Sequence, residues 1–138
     1  MSSRSQIYPL ARQLFVNAGL DWATSNVKAL LLAAAYTPDF TQGYLSGIPS
    51  AFILATSGNI VGKTGANGLL DGNTTSFGVV SSTAKAGYIL LYKDTGVPST
   101  SPLILFLDSP DISGMPQMLT GLQYFLYKNL TYGGWARL

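Results

Sequence analysis

Six aspartates are the only acidic residues of this 138-residue chain, which contains no histidine, cysteine or glutamate. The three missing residue types carry out most proton transfer, metal ligation and covalent catalysis in proteins. Asp108 and Asp111 form the one closely spaced acidic pair, and Ser113 adds a third oxygen. Calcium sites usually need more carboxylate than this, and aspartate before Ser-Pro more often forms a turn. We therefore predict that the chain is not an enzyme, and that it has no catalytic, cofactor-binding or metal-ligating residues.

Two short motifs resemble catalytic or phosphate-binding sequences but lack the context that such chemistry needs. Residues 58–64 resemble a phosphate-binding loop, except that one residue is missing between the glycines and that Gly65 and Gly68 would break the helix that must follow. Residues 82–85 match the Ser-x-x-Lys of penicillin-binding enzymes. The Lys-Thr-Gly of those enzymes follows their nucleophile, whereas residues 63–65 precede it here. We interpret both matches as coincidence.

The charge content narrows the possible partners. Charged residues make up 10% of the chain and hydrophobic residues 47%, against about 25% charged in ordinary soluble proteins. So little charge suits a surface that lies against other protein, or else a neutral β domain coated with serine and threonine. The eight basic residues form no cluster, which excludes nucleic-acid binding because phosphate contacts need a concentrated basic surface.

The hydropathy pattern predicts no membrane partner. No apolar stretch approaches the ~18 residues of a membrane-spanning helix. The first residues lack the apolar run of a signal peptide. We therefore expect the protein to be made and assembled in a cytoplasm.

One helix and a series of strands are predicted from hydrophobic periodicity, within a single domain over residues 1–138. The helix is expected over about residues 5–18, with Ser5 as its N-cap and Gly19 as its stop. The predicted fold class is mainly β, an antiparallel β-sandwich or jelly roll over about residues 26–138 with this one N-terminal amphipathic helix. The predicted strands are Val27–Leu32, Ala51–Ala55, Phe77–Val80, Tyr88–Tyr92, Leu103–Leu107 and Tyr124–Tyr127, with a further one within Leu130–Leu138.

Two of these runs are expected at the centre of the sheet. Tyr88–Tyr92 and Leu103–Leu107 are apolar at every position, so both of their faces should be covered. We predict that Leu90 and Leu105 are buried in paired central strands. The polar segment Lys93–Pro102 then joins the two strands as a hairpin, with glycine and proline setting its turn.

The hairpin segment also carries a family resemblance. Lys93-Asp-Thr-Gly-Val-Pro-Ser-Thr-Ser-Pro-Leu-Ile104, together with residues 27–40 and their Tyr-Thr-Pro, is similar to small structural proteins of tailed-bacteriophage virions. The chain resembles above all the capsid cement (decoration) proteins, more at its two ends than over residues 43–82. This resemblance implies a jelly-roll-like domain that binds the outer capsid surface and cements capsid subunits. It implies the major capsid protein as partner, the virion as location and no catalysis.

Long loops and chain ends are the parts of such a domain that are free to contact a partner. In this chain the long loops and chain ends contain unusually many large apolar residues. An exposed cluster of such residues normally marks an interface. We expect attachment as a homodimer, because a two-fold pair doubles the contacts of one weak site. The predicted interface residues are Phe40, Tyr44, Leu45, Leu69, Leu70, Trp135 and Leu138.

Two alternative functions fit the same composition. One is a structural protein of the phage tail or head–tail junction. The other is a receptor- or sugar-binding β-sandwich module in which Trp22, Tyr36 or Trp135 stacks on a sugar ring. The sugar-binding alternative requires that the faces of these rings are exposed.

Overall fold

The computed structural model describes residues 5–65, 68–73, 75–80, 85–108, 117–118, 122–126 and 136–137. Within these residues the chain forms one α-helix, α1 (Pro9–Val16), and ten strands whose pairings are all antiparallel. The predicted mainly-β antiparallel class with a single helix is confirmed, and the jelly-roll arrangement stays a prediction. The strands are β1 (Gln6–Ile7), β2 (Val27–Ala33), β3 (Ile53–Thr56), β4 (Leu69–Leu70), β5 (Thr75–Val80), β6 (Lys85–Lys93), β7 (Leu103–Leu107), β8 (Gln117–Met118), β9 (Leu122–Leu126) and β10 (Ala136–Arg137).

A six-stranded sheet forms the centre of the described structure. Its order is β1-β7-β6-β2-β3, and β8 pairs with the beginning of β6. Because β2 already pairs with Ala86 of β6, β8 must use the other edge of that strand, next to the end of β7. Two further sheets each have two strands, β4 with β10 and β5 with β9.

β6 is buried along almost its whole length. Every residue from Ala86 to Tyr92 is buried, as are all five residues of β7. Since successive side chains of a strand point to opposite faces, both faces of the sheet must be covered by other parts of the chain. Leu90 and Leu105 are 0% and 1% exposed, and both lie in strands that are paired on both edges. Their predicted positions in central strands are confirmed.

A row of aromatic rings covers one face of this sheet. Phe106 and Tyr88 share that face, and their ring centroids are 5.1 Å apart. Phe40 packs on Phe106 at 5.4 Å, and Tyr36 on Tyr88 at 6.3 Å. The connection between β2 and β3 therefore folds back onto the sheet. In spatial order the row consists of Tyr8, Phe40, Phe106, Tyr88, Tyr36 and Phe52.

The helix begins later than predicted, and its expected start at residue 5 with Ser5 as the cap is wrong. A residue before proline is driven into extended conformation, and Tyr8 has φ −60° and ψ 140°. Its N–H donates to Ile104 O of β7 at 2.9 Å, which continues the pairing of β1. Pro9 then opens the helix at the position where a missing N–H costs nothing.

The helix ends in a Schellman motif whose left-handed residue is Ala18 and not a glycine. Ala18 has φ 58°, Gly19 N–H donates to Leu14 O at 2.7 Å, and Ala18 N–H to Phe15 O at 3.4 Å. Gly19 therefore contributes to the stop as predicted, but one position beyond the strained residue. The left-handed conformation costs a residue with a Cβ about 1–2 kcal/mol.

We expect Ala18→Gly to stabilise the protein. Glycine removes the left-handed strain but adds conformational entropy to the unfolded chain, so the net gain should be about 0.5–1 kcal/mol. Urea unfolding measures this change. The neighbouring Asn17→Gly is the control, since φ is −90° there and no strain exists to remove. It should destabilise, and equal effects of the two changes would contradict the assignment.

Truncation of the central strands should be costly. Leu105→Ala removes a buried side chain from between two paired strands, so the free energy of unfolding should fall by about 2–5 kcal/mol. Val16→Ala is the matched control, because Val16 is exposed on α1 and surface changes usually stay within about 0.5 kcal/mol. An unchanged urea midpoint for Leu105→Ala would contradict the central position of β7.

Candidate protein-interaction surface

Four of the five described aspartates act as turn formers. Asp21, Asp39, Asp71 and Asp94 each accept a hydrogen bond on Oδ1 from a backbone N–H one to three residues further along the chain. Hydrogen bonds from the hydroxyl and N–H of Thr41 hold the pKa of Asp39 below its ordinary value. Among the described residues, no group of three or more His, Cys, Asp or Glu side chains is placed to hold a metal ion. These carboxylates thus shape loops.

The hairpin Lys93–Pro102 is closed by its own side chains. Gly96 has φ 88°, a conformation that favours glycine. The buried hydroxyl of Ser101 donates to Val97 O at 2.9 Å and accepts from Thr95 N–H at 3.1 Å. A polar loop of this kind holds its shape without an apolar core of its own.

An ion pair ties this hairpin to β2. Lys28 Nζ lies 2.9 Å from Asp94 Oδ2, and Asp94 N–H donates to Asn26 O at 2.7 Å. The hydrogen bond from Lys28 and that from the N–H of Gly96 lower the pKa of Asp94. The same contact with Asp94 raises the pKa of Lys28. The hairpin is therefore fixed against the neighbouring strand.

The topology brings several loops to one end of the six-stranded sheet. β2 begins at Val27, which pairs with Lys93 at the end of β6. Ile60 N–H donates to Val27 O at 2.8 Å, and Leu103 N–H to Gly43 O at 2.9 Å, which places the connections after β3 and β2 there as well. We call this region the loop end. It comprises residues 20–26, 43–47, 60–65, 68–73 and 94–102.

Three of the four large exposed hydrophobic side chains of the described residues belong to the loop end. Tyr44, Val61 and Val97 are 41%, 62% and 51% exposed and belong to three of its segments. Val16 is 84% exposed and ends α1, from which the chain runs directly to Leu20–Asn26. Exposed apolar side chains gathered in one region normally mark an interface. We call these four residues the attachment face.

The residues that the sequence pattern assigned to an interface divide into two groups. Tyr44 is exposed at the loop end, and its backbone bridges to Pro102. Phe40 and Leu45 are half-buried and pack against the core, with Phe40 held between two rings of the aromatic row. Of the three predicted interface residues in this loop, Tyr44 is therefore the one with an exposed side chain.

The second predicted segment is partly internal. Leu70 is 1% exposed, so the expectation that its side chain contacts a partner is wrong; it packs in the core. Leu69 is half-buried. β4 and β10 pair through Ala136 with Leu70, so the structure brings the end of the chain to this loop. Trp135 and Leu138 lie outside the described residues.

Sequence reasoning missed three residues of the attachment face. Val16 lies off the apolar stripe of α1, which was the one available signal for it. Val61 and Val97 each stand beside a glycine with positive φ, at Gly62 and Gly96, in otherwise polar turns. A large apolar residue directly beside a glycine in a polar turn is the sequence pattern that would have identified Val61 and Val97.

The rings considered for sugar stacking are internal where the structure describes them. Trp22 and Tyr36 are 4% and 5% exposed, and Trp22 Nε1 donates to Asp71 O at 3.0 Å. Neither presents an open ring face to solvent. Trp135 is outside the described residues. Trp22 and Tyr36 therefore do not favour a sugar-binding site.

Comparison of the chain with protein-family profiles and with curated protein sequences finds no match. No described helix is both long enough and apolar enough to cross a bilayer.

The Lys28–Asp94 pair should make stability depend on pH at both extremes. Because the pKa of Asp94 is lowered, its contribution is present above the ordinary carboxyl value of 3.8 and is lost as the pH falls below it. Because the pKa of Lys28 is raised, its contribution is present below 10.5 and is lost as the pH rises above it.

Asp94→Asn tests the acid limb, since asparagine keeps an oxygen acceptor for Gly96 N–H and removes the charge. The fall in Tm below about pH 4 should become shallower than in the wild type. Lys28→Met should flatten the same limb to a similar extent, because either change removes the pair, and the double variant should add little. An unaltered slope in Asp94→Asn would contradict the linkage.

Proposed function

We propose that this chain is a structural virion protein that binds the outer surface of a phage capsid and cements capsid subunits, with the major capsid protein as its partner. The observation that carries the proposal is the attachment face, since three of the four large exposed hydrophobics of the described residues belong to the loop end. The phage-like hairpin Lys93–Pro102 forms part of that end. A protein partner is the occupant that such a surface fits best.

The loop end is held in place before any partner binds. The Lys28–Asp94 pair ties the hairpin to β2, and the bond from Trp22 to Asp71 O ties two loops together. The buried hydroxyl of Ser101 closes the hairpin from within. Loops ordered in advance lose less conformational entropy on binding. A rigid contact surface suits a protein whose work is to resist displacement of capsid subunits.

Binding that occurs only on the assembled shell strengthens it by mass action. Each occupied site stabilises the shell by RT ln(1 + [L]/Kd), so many modest interfaces sum to a large effect. Attachment as a homodimer doubles the contacts that one weak site makes. The low charge of the chain, 10% of residues, suits a surface covered by neighbouring protein.

A density map of the intact particle tests the proposal directly. Many copies on the outer shell, with the loop end facing the major capsid protein, are the expected result. A few copies at the tail or at the head–tail junction would overturn the capsid assignment in favour of a tail structural protein. Absence from particles would overturn the virion assignment altogether.

Charge placed on the attachment face should weaken binding. Val61→Asp and Val97→Asp each force a carboxylate into the contact, and each should lower affinity for capsid shells by about tenfold or more in co-sedimentation. The controls are Ala35→Asp and Ala51→Asp, because both alanines are exposed and lie at the opposite end of the sheet. Circular dichroism checks whether all four variants fold.

Full occupancy for both valine variants would remove the loop end as the contact. Equal losses in the alanine controls would instead indicate a general effect of added negative charge. Only a loss confined to the loop end supports the attachment face.

A further inference from the structure

A surface pocket of about 400 Å³ opens at the loop end, beside the attachment face. Apolar side chains from separate parts of the chain form its walls, among them Phe15, Trp22 and Leu70. Asp21 is the one charged residue that lines it, and Gly65 leaves its side open. This volume lies within the range of about 300–1,000 Å³ that is typical of ligand pockets.

The indole of Trp22 is oriented so that its polar atom is already used. Nε1 donates to Asp71 O at 3.0 Å, which ties the ring to the loop that carries Leu70. Trp22 is 4% exposed, so it lines the pocket without an open ring face. The half-buried ring of Phe15 is the aromatic surface that the pocket offers to methylene groups.

The charge at the pocket is negative and uncompensated within the described residues. Asp21 takes part in no described salt bridge, and its Oδ1 accepts hydrogen bonds from two backbone N–H groups. Two cations of the same end of the sheet have other contacts. Lys28 pairs with Asp94, and Lys63 Nζ donates to Ile60 O at 3.0 Å.

We propose that this pocket receives a lysine or arginine side chain from the partner protein. The methylenes of such a side chain would pack on Phe15, while its cation pairs with Asp21. A long aliphatic stem with a charged head matches apolar walls with a single carboxylate. The identity of the partner as a capsid subunit rests on the proposed function, whereas the chemistry of the pocket does not.

The chemistry is tested without any capsid, by NMR titration of the ¹⁵N-labelled protein with n-butylguanidinium and n-butylammonium chloride. Saturable shifts at the Trp22 indole N–H and at the amides of Ala23 and Gly65, in the millimolar range, are the expected result. Uncharged 1-butanol has the same stem without the cation, so it should bind more weakly.

Two variants separate the carboxylate from the cavity. Asp21→Asn keeps an oxygen for the turn but removes the charge, and should weaken binding of n-butylguanidinium by about threefold. Asp39→Asn is its control, since Asp39 caps a similar turn elsewhere. Gly65→Leu should abolish binding by filling the pocket. A Cβ at Gly65 meets nothing within 4 Å, and the same holds at Gly58, so Gly58→Leu is the matched control and should bind normally.

Several outcomes would overturn the pocket proposal. These are no shift at the Trp22 indole, equal binding of butanol and butylguanidinium, or undiminished binding by Asp21→Asn. If the wild type and Gly65→Leu bind capsid shells equally well, the partner does not use the pocket. Self-association of the wild type that Gly65→Leu abolishes would make a second copy the occupant and overturn the assignment to a capsid subunit.

A failure of the proposed function gives a different result. In that case the wild type does not bind capsid shells at all, while the butylguanidinium titration still succeeds. The two experiments therefore distinguish a wrong partner from a wrong pocket.

Discussion

The burial of β6 on both faces is the constraint on which the rest of the structure depends. Its backbone is paired with β2 on one edge and with β7 and β8 on the other, and its residues from Ala86 to Tyr92 are buried. At Gly87 an added Cβ would lie 2.7 Å from Ala34 Cα, which shows how closely the chain packs where it leaves β2. A strand in this position contributes stability and leaves function to the loops.

Covering two faces of a sheet requires more apolar surface than the strands themselves provide. The connection between β2 and β3 supplies part of it, since Tyr36 and Phe40 lie on the aromatic row and not in solvent. Tyr8 is fully buried in the same row, and burial raises the pKa of its hydroxyl. This demand explains why apolar loop residues with the pattern of an interface became core residues instead.

The loop end is a preformed surface at one end of the sheet. Its turns are closed by serine, threonine and aspartate side chains, and its principal ion pair cancels its own charge. The attachment face supplies apolar contact, and the pocket beside it supplies one carboxylate.

The sequence by itself determined the class of the fold and its centre. Alternation and run length are local properties, so the strands at Val27, Tyr88 and Leu103 and the burial of Leu90 and Leu105 followed from them. Only the tertiary structure decided which loop residues are exposed. Leu70 and Val61 are similar apolar residues in neighbouring turns, yet one is buried and the other lies in solvent, because long-range pairing of β4 and of Ile60 with Val27 sets their positions. The same holds for the pocket, whose walls come from α1, from the turn at Asp21 and from β4, segments that no local pattern connects.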